Sequence, residues 1–75
     1  MINVRVSGRV DVAGNAVLNS AIEESERVLN GSGRVLLRPS GTEPLIRVMV
    51  EGEDEGLIVA EAERLAEVVS QQFGV

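Results

Sequence analysis

Two apolar runs separated by a short polar loop are the feature that most constrains the fold of this chain. The first run, "RVLLR", occupies residues 34–38, and the second, "LIRVMVE", occupies residues 45–51, with "PSGTEP" between them. Runs rich in Val, Leu and Ile that are bounded by Pro, Gly and Ser are typical of β-strands. Because the connection is too short for a crossover helix, we expect antiparallel neighbours joined by a wide hairpin.

Two segments have the apolar period of an amphipathic helix. The first follows Asn15, a plausible N-cap, and ends at "NGSG" (residues 30–33); the residues at its helical spacing are Leu18, Ile22, Ser25 and Leu29. The second follows Asp54, and its stripe is Ile58, Ala62, Leu65, Val69 and Phe73. The charged residues of this helix lie mostly off the stripe: Glu61, Glu63, Arg64 and Glu67.

These segments define the fold class. "INVRV" (residues 2–6) alternates apolar and polar residues and predicts a further strand. The order is then strand, helix, strand, strand, helix, with a fourth short strand if one forms near Val10. Two amphipathic helices need one sheet face to cover, so we predict an α+β two-layer sandwich. Its small, mainly antiparallel sheet of three or four strands has both helices on one face, and residues 1–75 form a single domain.

Composition excludes several classes of function. The 75 residues include no cysteine, no histidine and no lysine, so thiolate metal sites and histidine proton transfer are unavailable. The net charge of −5 argues against a nucleic-acid or anionic-membrane surface. No apolar run approaches the roughly 20 residues that span a bilayer, and the N-terminus lacks a signal-peptide pattern. We therefore expect a cytoplasmic setting.

Strand alternation brings two arginines together near the loop. Arg38 and Arg47 fall on the strand faces opposite the purely aliphatic ones, so we expect them together on the open face of the sheet. Two such charges repel by roughly 1 kcal/mol at 4 Å in full solvent. Either Glu43 or Glu51 neutralises them as a surface ion pair, or an external anion lies between them.

The loop residues fit the second alternative. Ser40 and Thr42 offer hydroxyl groups, and Gly41 allows a ligand to approach the backbone N–H groups, as a phosphate dianion would require. The same hydroxyls also suit a purely structural role in the turn. Glu43 is expected to orient an arginine rather than to bind a ligand. Apolar residues on the open face predict either a docking surface or ordinary scattered exposure: Leu36, Leu45 and Met49.

The stretch "GRVLLRPSGTEPLIRVMVEG" (residues 33–52) resembles the phosphate-binding loop in the last domain of the α-D-phosphohexomutases. The predicted order of elements also fits that domain, so the resemblance extends over essentially the whole chain. Within the family this sequence is most similar to those of the bacterial members that act on glucosamine phosphates. The resemblance implies that the substrate phosphate not being transferred is bound by Arg38, Ser40, Gly41 and Thr42, with Arg47 alongside.

The resemblance also implies what this chain lacks. In the family a phosphoserine and a Mg²⁺ site lie in earlier domains, so residues 1–75 would be the fourth domain of an enzyme that supplies peptidoglycan precursors. Met1 directly before a strand fits an excised domain. The expected partners are a sugar phosphate and the preceding domains; no cofactor, metal or catalytic residue is expected here, and the chain alone should be inactive. The alternatives are a member that acts on mannose or glucose phosphates, and a standalone module that binds a phosphorylated ligand.

Overall fold

The computed structural model describes residues 2–7, 11–31 and 33–74. The elements in chain order are β1 (Ile2–Arg5), α1 (Ala16–Leu29), β2 (Arg34–Pro39), β3 (Leu45–Glu51) and α2 (Glu55–Phe73). The strands form a three-stranded sheet in the order β1-β3-β2, and both pairings are antiparallel. The predicted α+β fold and its β-α-β-β-α order are therefore confirmed. The possible strand near Val10 lies outside the described residues.

The hairpin of β2 and β3 forms as the sequence predicts. The two strands pair from Arg34↔Glu51 to Pro39↔Ile46. Gly33 is needed where they approach at the far end, because a Cβ there would collide with the carbonyl oxygen of Glu51. β1 pairs along the other side of β3, which makes β3 the central strand.

Side-chain caps define the starts of both helices. Asn15 Oδ1 accepts a hydrogen bond of 2.8 Å from the backbone N–H of Leu18, and Asp54 Oδ1 accepts one of 3.1 Å from Leu57. Both predicted N-caps are therefore confirmed. At the end of α1 the left-handed conformation begins one residue earlier than glycine, at Asn30 with φ 50°, and continues at Gly31 with φ 78°. Asn tolerates this conformation better than most residues.

The core lies between the helices and one face of the sheet. Leu18 of α1, Ile46 and Val48 of β3, and Leu65 and Val69 of α2 are completely buried. These are the residues that the apolar stripes and the strand alternation predict to be inside. The helices cover the aliphatic face, so the opposite face of the sheet, defined here as the open face, carries the alternate residues of each strand.

One charged side chain of α2 is buried. Glu61 lies off the apolar stripe that the sequence predicts for this helix, yet only 8% of it is exposed. Its Oε1 accepts hydrogen bonds from Ser25 Oγ at 2.8 Å and from Arg64 Nε at 3.1 Å. Arg64 also donates to the carbonyl oxygen of Ala21 at 2.9 Å. This polar cluster joins α1 to α2, and its internal hydrogen bonds make the burial of a carboxylate tolerable.

Candidate anion-binding site

Arg38 and Arg47 are direct cross-strand neighbours on the open face. The backbone N–H of Ser40 donates to the carbonyl oxygen of Leu45 at 2.9 Å, so the alternation of the ladder makes Arg38 and Arg47 a hydrogen-bonded pair. In such a pair the Cα atoms are about 5.5 Å apart and both side chains point to the same face. Both arginines are exposed. The sheet therefore holds two guanidinium groups side by side in solvent, as predicted.

Neither proposed internal counter-ion reaches these arginines. Glu51 pairs with Arg34 at 3.4 Å, which is at the opposite end of the hairpin. Glu43 is exposed and forms no ion pair with an arginine of the described residues, so that part of the structure does not show it orienting one. Within the described ranges, Arg38 and Arg47 therefore have no carboxylate partner.

The loop uses Ser40 to hold its own backbone. Ser40 Oγ accepts long hydrogen bonds from the N–H groups of Thr42 at 3.4 Å and Glu43 at 3.3 Å. The structural role considered for Ser40 is therefore present. It does not exclude binding, since a hydroxyl that accepts two hydrogen bonds can still donate its own proton. Long bonds of this kind also leave the amides able to turn toward a better acceptor.

Gly41 is not needed for the backbone conformation of the loop. The positive-φ glycine among the described residues is Gly31, so an L-residue could adopt the backbone conformation of Gly41. A Cβ at Gly41 would meet nothing within 4 Å, so packing does not require glycine there either. Its N–H has no hydrogen-bond acceptor in the part of the chain that the structure describes. The open space and the free donor are what a bound anion would use.

These groups meet in one pocket of about 300 Å³. The pocket is lined by the two arginines, the loop and one apolar side chain: Arg38, Pro39, Ser40, Gly41, Thr42, Arg47 and Met49. All five residues that the sequence analysis selected are therefore brought together. Two guanidinium groups, two hydroxyls and a free amide present only donors or donor-capable groups, which suits a small oxyanion such as phosphate.

Two polar residues of β1 also lie on the open face, and the sequence analysis did not assign them to the site. Asn3 is directly opposite Arg47, and Arg5 is directly opposite Leu45. Both are exposed, whereas Ile2 and Val4 are partly buried and pack against the core. The alternation of "INVRV" indicates that Asn3 and Arg5 share one face of the strand. Only the pairing of β1 with β3 shows that the same face of the sheet carries Arg38 and Arg47.

Residues 2–7, 11–31 and 33–74 contain no group of three or more Asp, Glu, His or Cys side chains arranged so that they could hold a metal ion. No helix in the same ranges is both long and apolar enough to cross a membrane.

Comparison with known proteins defines the class to which the fold and the loop belong. The family model for the C-terminal domain of phosphoglucomutase and phosphomannomutase matches residues 1–68. The chain belongs to this family, and its resemblance to the phosphohexomutases is thereby confirmed.

The curated relatives are more specific. The chain is 58% identical over 71 residues to the phosphoglucosamine mutase of Coxiella burnetii, a match that covers 95% of the chain. It is 55% identical over 69 residues to that of Cellvibrio japonicus, covering 92% of the chain, and 53% identical over 72 residues to that of Methylobacillus flagellatus, covering 96%. In each case the match spans only 16% of the relative.

Proposed function

We propose that this chain is the substrate-phosphate-binding domain of a phosphoglucosamine mutase. In this proposal the parent enzyme interconverts glucosamine 6-phosphate and glucosamine 1-phosphate through a phosphoserine and a bisphosphate intermediate. The domain holds the phosphate that is not being transferred. The named ligands are Arg38, Ser40, Gly41, Thr42 and Arg47, and none of them is assigned a catalytic step.

The observation that carries the proposal is the pair of neighbouring arginines without a carboxylate partner in the described structure. In a chain with twelve acidic and seven basic residues, acids are available to neutralise them, yet Arg34 takes Glu51 and these two remain exposed. A dianion between them removes the repulsion and adds charge-assisted hydrogen bonds, each contributing about 1.5–3 kcal/mol. The pocket's free amide and hydroxyl donors support the same ligand.

The proposed role in catalysis is positioning. A mutase must hold its substrate in two orientations, with either phosphate at the reacting serine. A clamp that recognises charge and tetrahedral shape serves both orientations equally. Since phosphoryl transfer depends strongly on alignment, such a clamp contributes to rate without supplying a nucleophile. The phosphoserine and a Mg²⁺ ion would belong to preceding domains, so we propose that this chain alone does not turn over substrate.

The choice of amino sugar is supported by the phosphoglucosamine mutases among the relatives, with identities of 53–58%. The alternative sugars are glucose and mannose, since the matched family model bears the names of phosphoglucomutase and phosphomannomutase. The clamp itself should not distinguish them, because its groups contact only the phosphate.

Isothermal titration calorimetry of the chain tests the proposal. We expect inorganic phosphate, glucosamine 6-phosphate and mannose 6-phosphate to bind with similar, roughly millimolar constants, about −4 kcal/mol. Arg38→Gln should abolish binding, whereas Arg27→Gln, in which the lost arginine lies on α1 and pairs with Glu24, should not change it. Equal binding by wild type and Arg38→Gln would overturn the assignment of the site.

A further inference from the structure

The arginines of the described residues fall into two groups. Those of the first group each have a carboxylate partner: Arg27 with Glu24, Arg34 with Glu51, and Arg64 with Glu61. Those of the second group form no ion pair within the described ranges: Arg5, Arg38 and Arg47. All members of the second group lie on the open face of the sheet, and Arg5 has no assigned role.

The register places Arg5 beside the loop rather than at a remote part of the face. It is opposite Leu45, and Leu45 in turn accepts the backbone hydrogen bond from Ser40 on its other side. Arg5 of β1, Leu45 of β3 and Ser40, the residue directly after β2, therefore form one row across the sheet. With strands about 4.8 Å apart, the Cα atoms of Arg5 and Ser40 are separated by roughly 10 Å.

An arginine side chain can cover most of that separation. Its apolar stem can lie along Leu45, which is half-buried on this face, while its guanidinium group extends toward the pocket. Arg47, the pocket residue diagonal to Arg5 on β3, is roughly 7–8 Å away between Cα atoms. Arg5 does not line the pocket, but the register puts it within reach of the pocket from the β1 side.

A competing partner for Arg5 exists on α2. The outer edge of β1 and α2 border an open groove of about 560 Å³, and Glu63 and Glu67 line it together with Arg5. Neither carboxylate forms an ion pair with Arg5. Glu67 instead accepts a hydrogen bond of 3.2 Å from Gln71 Nε2. Glu63 and Glu67 therefore line the same groove as Arg5 without forming an ion pair with it.

We propose that Arg5 is a further anion-binding residue of the site. Its guanidinium group reaches over Leu45 and donates to the phosphate held by Arg38 and Arg47, so that three strands contribute to the clamp. This inference rests on the proposed function, because it assigns another ligand to the same phosphate. No covalent step is involved.

Titration of the chain with inorganic phosphate tests the inference, with two readouts for each variant. Calorimetry should show phosphate binding about fivefold to tenfold weaker in Arg5→Gln, the loss of one exposed charge-assisted contact. Arg34→Gln is the matched control, since Arg34 lies on the same face but at the far end and pairs with Glu51. Its affinity should equal that of wild type. The amide spectrum of each variant verifies that it is folded.

The second readout is the side-chain Nε–Hε resonance of each arginine. In wild type, phosphate should shift the signal of Arg5 along with those of Arg38 and Arg47, while that of Arg34 stays in place. An unmoved Arg5 signal, or an unchanged affinity in Arg5→Gln while Arg38→Gln abolishes binding, would overturn this inference and leave the proposed function intact. If wild type binds no phosphate, both the proposed phosphate-binding function and the inference about Arg5 are wrong.

Discussion

Replacing Arg47 with glutamine should stabilise the free domain and weaken its binding of phosphate. The charge of Arg47 stands beside that of Arg38 with no carboxylate partner in the described structure. With the guanidinium groups at about 6 Å in a water-like dielectric, their repulsion is about 0.7 kcal/mol. Glutamine keeps a long polar side chain on the strand and removes this repulsion.

The magnitude can be measured as a change in melting temperature. For a domain of this size, 0.7 kcal/mol corresponds to an increase in Tm of about 3–6 °C at low ionic strength. At 0.15 M salt the Debye length is about 8 Å, so roughly half of the gain should remain. Thermal unfolding followed by circular dichroism at two salt concentrations gives both values.

Phosphate should reverse the order of stability. At 20 mM phosphate and a dissociation constant near 1 mM, wild type gains about 1.8 kcal/mol, because only the folded state binds. Arg47→Gln should gain little, so wild type becomes the more stable protein. Arg34→Gln should show neither effect, since that arginine is paired with Glu51. A variant Arg47→Gln that melts below wild type at low salt would refute the reasoning, because Arg47 would then be stabilising the free sheet.

The remaining predictions concern the core, the loop and activity. Glu61→Ala should lower the free energy of unfolding in urea by about 2–4 kcal/mol, since it leaves Ser25 and Arg64 without their shared acceptor; a loss below 0.5 kcal/mol would contradict the role of the cluster. Leu65→Ala, at a fully buried position, should cost about 2–5 kcal/mol in the same assay, and a negligible loss would contradict the assigned core. Gly41→Val should weaken phosphate binding at least tenfold in calorimetry with less than 1 kcal/mol change in stability, because its side chain enters the empty space of the pocket. Finally, a coupled assay of glucosamine phosphate interconversion should detect no turnover by the chain alone. Turnover above background would contradict the proposal that catalysis requires the preceding domains.

Most of the fold could be predicted because local patterns and tertiary structure agree. The alternation of β2 and β3 specified which residues face the helices, and the short loop specified the hairpin. Asn15 and Asp54 fixed the helix starts through side-chain hydrogen bonds that depend only on nearby residues. The same alternation placed Arg38 and Arg47 together, so the pocket could be predicted before its shape was known.

The features that could not be predicted depend on contacts between distant parts of the chain. Glu61 is buried because Ser25 lies across from it on α1, and the period of α2 alone gives no sign of that partner. Arg5 lies on the same open face as Arg38 and Arg47 because β1 pairs with β3, and the alternation of "INVRV" does not reveal that pairing. Val6 forms an isolated antiparallel β-bridge with Gly74, a residue near the other end of the chain.

The most direct test of the central claim is an NMR titration of the chain with inorganic phosphate, following the backbone amides. The claim predicts backbone-amide shifts concentrated in residues 38–47, with Gly41 and Thr42 among the largest because their N–H groups are free or weakly bonded. These shifts should disappear in Arg38→Ala. Amides that stay in place at tens of millimolar phosphate, or shifts that persist in Arg38→Ala, would contradict the claim that these two strands and their loop form a phosphate clamp.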